Sequence, residues 1–229
     1  MHAYIVVDMG FGDGGKGVLT DFLVRHLNAS LVVRYNGGAQ AGHNVITPDG
    51  RHHTFAQFGS GTFVPGVKTF LSRFMVLHPT ALLVEGETLQ NKGLPDVFSR
   101  LRISDQALVI TPFHQAANHL RELQRGDGRH GSCGVGVGET VEDALAFPEA
   151  AVLAGDLAHP ARLRQKLLFI REQKRRQALA LYKNTTLSAG AAEEWLILES
   201  DEVVENWLSA IRRRSEEHTS ELQSRGLTS

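Results

Sequence analysis

The chain has one cysteine, Cys133, in 229 residues, so no disulfide can form within it, and a reducing compartment suits it. Long apolar runs are missing: none approaches the ~18 residues a helix needs to cross a membrane, and no signal-peptide pattern is present. An excess of one charge is missing too. Lys and Arg number 24 against 25 Asp and Glu, for a formal net charge of -1. A surface without a basic excess is no footprint for nucleic acid. The local run Lys174-Arg175-Arg176 lies in a polar, helix-like stretch and is expected to be a solvated face. Metal patterns of the C-x-x-C and H-E-x-x-H kind are absent. The expectation is a cytoplasmic protein with neither membrane nor nucleic acid as partner. Its length suits one sizeable α/β domain.

Glycine is where the sequence becomes specific. The stretch Gly10-Phe11-Gly12-Asp13-Gly14-Gly15-Lys16-Gly17 follows the apolar run Tyr4-Ile5-Val6-Val7 and precedes the helix-like Val18-Leu19-Thr20-Asp21-Phe22-Leu23-Val24. Strand, glycine-rich turn and helix in that order make a phosphate cradle. Glycines let backbone N–H groups close on the anion, the helix N-terminus adds partial positive charge, and Lys16 adds a full one. Gly10, Gly15 and Lys16 match G-x-x-x-x-G-K. The next position departs from that pattern, because Gly17 has no hydroxyl for Mg²⁺. Asp13 inside the loop is the substitute, since a carboxylate is a good hard ligand for that ion.

A second polar cluster, Arg34-Tyr35-Asn36-Gly37-Gly38-Ala39-Gln40-Ala41-Gly42-His43-Asn44, follows the strand-like Leu31-Val32-Val33. His43 in such a loop can act as acid, base or electrophile near neutral pH. Elsewhere the pattern alternates. Residues 49–55 read as a turn and a strand, with His52 and His53 as surface histidines. Val67 to Leu71 is a buried strand, Pro79 to Gln90 a helix, Val109 to Thr111 a strand end, and Phe113 to Gln124 a helix. A charged helix-like stretch runs from Ala161 to Leu181. This alternation predicts an α/β, P-loop NTPase-like fold: a mostly parallel sheet flanked by helices. Cys133 has no evident base beyond nearby His130, which argues against a nucleophile.

The two loops together resemble those of the adenylosuccinate synthetase family. Gly12 to Gly17 is similar to its G-D-E-G-K-G, and Gly38 to Asn44 to its G-G-x-N-A-G-H-T. Further blocks follow in order. Ser60-Gly61-Thr62-Phe63-Val64-Pro65-Gly66-Val67 resembles S-G-x-x-x-P-G-V, and Leu101-Arg102-Ile103-Ser104-Asp105 resembles L-x-I-S-D. Gly131-Ser132-Cys133-Gly134-Val135-Gly136-Val137-Gly138 resembles the nucleotide loop G-T-T-G-x-G-I-G.

The resemblance implies a ligase of purine nucleotide biosynthesis. It uses GTP to phosphorylate O6 of IMP, then displaces that phosphate with the amine of L-aspartate. It implies Asp13 as the base for the N1 proton and as a Mg²⁺ ligand, His43 as donor to the transferring phosphoryl group, and Lys16 as a phosphate holder. The Gly42 carbonyl would face the metal. Gly12, Gly14, Gly15 and Gly17 would line the phosphate loop, while Gln40, Ser132, Cys133 and Gly134 would lie at the nucleotide. A homodimer is implied as well.

The departures bear on the acceptor purine. Gly14 stands where the family has Glu, Phe11 where it has Trp, Gln40 where it has Asn, and Cys133 where it has Thr. The Arg that in the family reaches a partner's nucleotide has no counterpart in Ala144-Leu145-Ala146-Phe147. A viral branch takes dGMP, whose N1 proton and O6 allow the same chemistry; Asp13 fits the standard branch better. A nucleotide-binding module without ligation is the reading from another class, against which Gly17 argues. Whether the donor is GTP or ATP stays open.

The resemblance fades after about residue 150. The string Arg214-Ser215-Glu216-Glu217-His218-Thr219-Ser220-Glu221-Leu222-Gln223-Ser224 resembles a translated sequencing adapter. The expected organisation is 1–213 as the N-terminal part of an adenylosuccinate synthetase-like domain and 214–229 as a non-native tail. The aspartate loop and base-reading motif of the family are not found, so this segment alone is expected to be inactive as a ligase.

Overall fold

The computed structural model describes residues 2–10, 14–126, 133–183 and 185–224, with residues 213–224 described as backbone alone. The chain divides into two compact units, residues 1–75 with 81–104 and residues 76–80 with 105–229.

The first unit is built on helix α1 (Lys16–His26), strand β1 (Leu31–Gly38), the hairpin β2 (His43–Ile46) and β3 (His52–Phe55), strand β4 (Lys68–Leu77), helix α2 (Pro79–Asn91) and strand β5 (Leu101–Ile103). Strand β4 lies between β1 and β5. It pairs in parallel with β5, Thr69 opposite Leu101 and Leu71 opposite Ile103. Strand β4 is central in this order and buries Leu71, Met75 and Leu77 fully, while Arg73 and Phe74 in its middle stay exposed. Strand β1 instead alternates, with Val32 and Arg34 inward and Leu31, Val33 and Tyr35 outward.

The same alternation corrects the expectation for His53. It shares the inward face of β3 with Phe55, is buried, and packs edge-on to the Phe55 and Phe63 rings, with its Nε2 3.6 Å from Glu85 Oε1. His52 is exposed as expected.

Two buried charges hold the irregular backbone between β3 and β4. The Glu85 carboxylate, from α2, accepts from the backbone N–H groups of Ala56 (2.9 Å), Gln57 (2.7 Å) and Phe58 (3.3 Å). The Arg100 guanidinium donates to the carbonyls of Thr62, Val64 and Val67 at 3.0, 3.2 and 2.9 Å. Polar backbone can be buried there because these side chains replace a ladder. Gly61 is required by its φ of 123° and because a Cβ would lie 3.0 Å from Val24.

The strand expected at Tyr4 to Val7 does not form. This segment is irregular, with Tyr4 60%, Ile5 87% and Val7 66% exposed. An apolar run becomes a buried strand only with a hydrogen-bonded neighbour, and among the described residues no strand pairs with it.

In the second unit the end of β4 pairs in parallel with β6 (Leu108–Val109). Helices α3 (Pro112–Arg125), α4 (Val137–Ala146), α5 (Pro160–Leu181), α6 (Ala189–Glu199) and α7 (Asp201–Ser224) follow, with short 3-10 turns at Pro148–Ala150 and Ala154–Ala158. Helix α3 packs on α4, α5 and α6. Its buried stripe, Phe113, Ala116, Ala117 and Leu120, has the i, i+3, i+4, i+7 spacing of an amphipathic helix. The backbone of residues 214–224 continues α7.

The fold is therefore α/β, with parallel strand pairings flanked by helices and one antiparallel hairpin.

Candidate functional site

In the first unit the glycine-rich loop leads into α1 through Gly15, whose φ of 69° is left-handed. Gly12 and Asp13 lie outside the described residues. Lys16 opens the helix behind the N-cap Gly15, which has no side chain to cap it, so among the described residues the first N–H groups of α1 keep their capacity to bind an anion. Gly17, which follows, is buried. A Cβ there would lie 2.7 Å from His43 Cβ and 3.1 Å from His43 Cα. The absent side chain is what lets the two sequence clusters touch. Gly17 thus replaces the P-loop hydroxyl with room for a histidine.

Strand β2 begins at His43 and is held by pairing with β3, His43 opposite Phe55 and Ile46 opposite His52. His43 is partly buried, and its pKa is lowered to about 4, first by burial and then by the positive charges of Arg34 and Lys16. At neutral pH its imidazole is neutral, with one N–H to donate. Arg34 is buried in β1, where its guanidinium donates to the Phe58 carbonyl at 3.4 Å. Gly42 is exposed just before β2, close to the Thr54 methyl group, and Gln40 is exposed on the turn after β1.

Asp8 was not singled out from the sequence. Its carboxylate accepts from Lys16 Nζ at 2.5 Å and from the backbone N–H of Gly10 at 2.9 Å. Bonded to Lys16 and to Gly10 and Gly14 backbone, it is held below the usual carboxylate range. The sequence signal was a lone acidic residue at the end of an apolar run, directly before the glycines.

The second unit carries the other glycine loop. Ser132 lies outside the described residues; Cys133 is exposed, and Gly134 and Gly136 have left-handed φ values of 70° and 88°. Gly136 caps the N-terminus of α4, and a Cβ on it would lie 3.0 Å from Gln115 N, so loop and α3 backbone are in close contact. The His119 ring abuts Gly134, where a Cβ would meet Nε2 at 2.4 Å, and its Nδ1 bonds Glu194 Oε1 at 2.7 Å.

Beneath α4 lies a charged cluster that corrects a second expectation. Lys174 is fully buried rather than solvated, and its ammonium bonds Glu139 at 2.8 Å and Asp143 at 2.7 Å. It belongs to the α5 stripe Leu163, Leu167, Ile170, Lys174, Ala178. Arg175 pairs with Glu199, and Arg176 keeps a solvated place. His114 joins the cluster. Its Nδ1 accepts from the Thr111 N–H at 3.1 Å, which leaves the proton on Nε2, 3.4 Å from Asp143 Oδ2. Burial would raise the Asp143 pKa, but the nearby His114 ring and the bonded Lys174 ammonium outweigh it and hold the group below its usual value.

The sequence profile described as adenylosuccinate synthetase matches residues 5–223. The adenylosuccinate synthetase of Chlorobium chlorochromatii is 39% identical over 165 residues, which cover 72% of this chain and 37% of that one. The enzyme of Neisseria gonorrhoeae is 37% identical over 163 residues, 71% of this chain and 37% of its own. The chain thus spans little more than a third of these curated relatives. Two solved structures share the fold. The fully ligated adenylosuccinate synthetase of Plasmodium falciparum superposes with a TM-score of 0.60 at 23% identity, covering 89% of this chain and 43% of that one. The succinoaminodeoxyadenylate synthetase of cyanophage S-2L, solved with dGMP and dATP, gives 0.51 at 22%, covering 66% and 40%. With a glycine loop and a histidine meeting at Gly17, and a profile match over nearly its whole length, the chain belongs to the adenylosuccinate synthetase family.

Proposed function

We propose that this chain is the phosphate-handling part of a purine nucleotide ligase that joins L-aspartate to C6 of IMP, with GTP as the phosphoryl donor. The observation that carries the reading is the close approach of Gly17 to His43, which brings the helix start after the glycine loop against a histidine kept neutral by burial and by the charges of Arg34 and Lys16.

Inosine O6 is a poor leaving group until phosphorylated. Asp13 takes the N1 proton, so that O6 attacks the γ-phosphorus of GTP and GDP departs. The aspartate amine then adds at C6 and expels phosphate. Lys16 and the His43 N–H neutralise charge on the transferring group, where such donors matter most. Mg²⁺ suits hard oxygen donors and keeps several waters and phosphate oxygens as ligands. Asp13 and the Gly42 carbonyl would hold it, and a cluster of protein ligands is not required; none of three or more forms among the described residues. When bound it supplies charge neutralisation between the phosphates.

Gln40 and Cys133 favour a second reading in which the acceptor is dGMP, because both depart from the family pattern at positions assigned to the nucleotide. The phosphoryl chemistry is unchanged in it.

The test is to titrate the chain with Mg·GTP and Mg·ATP, alone and with IMP or dGMP, and to follow phosphate release with and without aspartate. Binding of a nucleoside triphosphate without aspartate-dependent release is the expected result. Failure to bind any triphosphate sinks the reading. Aspartate-dependent turnover by this segment alone overturns its inactivity, and the preferred monophosphate decides between the acceptors.

A further inference from the structure

The loop proposed to hold phosphate already holds an anion, and that anion is part of the chain. Asp8 Oδ1 accepts from Gly10 N at 2.9 Å, and Oδ2 accepts from Lys16 Nζ at 2.5 Å. Gly14 lies against the same carboxylate. A Cβ on Gly14 would lie 2.7 Å from Oδ1 and 2.8 Å from Oδ2, so the carboxylate occupies the space which that glycine leaves open. The Asp8 side chain is 14% exposed although the segment around it is largely in solvent.

Converging backbone N–H groups and a lysine are what a glycine loop offers to phosphate oxygens. Two carboxylate oxygens satisfy the same donors. We propose that Asp8 is the resident anion of this loop, an internal competitor that an incoming nucleotide phosphate displaces from Gly10, Gly14 and Lys16. The inference rests on the phosphate reading of the loop and adds an internal partner for its donors Gly10 and Lys16. Carboxylate and phosphate cannot share these donors, because both would then lie within a few ångströms with like charge. Affinity falls by the fraction of chains in which Asp8 has left the loop. The irregular backbone of residues 2–9 lets the side chain withdraw without breaking a ladder.

The experiment is calorimetric titration of the full chain with inorganic triphosphate, with and without Mg²⁺, for wild type, Asp8→Asn, Asp8→Ala and Lys16→Met. The backbone amide signals of Gly10 and Gly14 are followed by NMR in the same samples. Both Asp8 variants should bind triphosphate about tenfold more tightly than wild type, and Lys16→Met should lose binding. The Gly10 and Gly14 amides should move on Asp8→Asn without ligand, and move again in wild type when triphosphate enters. If wild type binds and the Asp8 variants bind no more tightly, competition is overturned while the loop reading stands. Weaker binding of the Asp8 variants confined to Mg²⁺ makes Asp8 a metal ligand and overturns competition too. If no variant binds triphosphate while the two amides still respond to Asp8→Asn, the phosphate reading of the loop fails, and competition with it.

Discussion

His43 is a partly buried base between two positive charges, and both burial and charge favour its neutral form. Its proton should therefore leave near pH 4 in the free chain, against about 6.5 for an unperturbed histidine. A bound polyphosphate would offset the charges of Lys16 and Arg34, so the His43 pKa should rise on binding. NMR titration of its ring carbons with and without triphosphate checks this, and a pKa already near 6.5 in the free chain would refute it. The sign for stability follows. The unfolded chain takes this proton more readily than the folded one, so the His43 contribution is full above about pH 6.5 and is lost as pH falls toward about 4. Solvent screening of a partly exposed group limits the loss to about 1 kcal/mol, and His43→Asn should remove that part of the pH dependence. Gly17 is the complementary case. Gly17→Ala forces a methyl group to 2.7 Å from His43 Cβ, so it should cost about 1–3 kcal/mol in urea unfolding. It should also weaken triphosphate binding by separating the two clusters.

At the scale of elements, α4 and α5 are joined by one buried ammonium and two carboxylates. Lys174→Met leaves Glu139 and Asp143 with less compensation in a buried place, and should cost about 3–5 kcal/mol, read as a lower midpoint in denaturant. A shift below 1 kcal/mol would show the cluster to be solvated. The sequence held the position of this residue if not its meaning. Leu163, Leu167, Ile170, Lys174 and Ala178 share one helical stripe, and the charged neighbours Arg175 and Arg176 drew Lys174 into a solvated reading. His53 was hidden in the same way, by judging the residue type before the inward alternation of β3. Glycine loops were legible because their conformations exclude other residues, and most helices because their periodicity is local. The segment from Tyr4 to Val7 was not, since a strand depends on a neighbour that composition does not specify. The start of α3 shows a subtler limit. Thr111 caps it with His114 as the reciprocal partner, where a sequence reading looks for Glu or Gln.

At the scale of the whole molecule, much of the apolar surface left in water among the described residues lies in the first unit. Ile5, Val7 and Met9 are 87%, 66% and 94% exposed, and Leu31, Val33, Tyr35 and Phe74 lie between 47% and 62%. Among the described residues strand β1 ends the order of its sheet, so its outward apolar residues lie on an edge strand, an arrangement that invites pairing with other chains. The isolated chain should bind a hydrophobic dye and associate with rising concentration in sedimentation, and Leu31→Lys with Val33→Lys should reduce both. A monodisperse chain that ignores the dye would contradict this. The buried ammonium of Lys174 has another use. An amine with no exposed surface cannot meet an acylating reagent while the helices around it stay closed. Each modified Lys174 would therefore count one opening of the second unit, and its slow labelling beside quickly labelled surface lysines such as Lys68 would act as a clock for unfolding under native conditions.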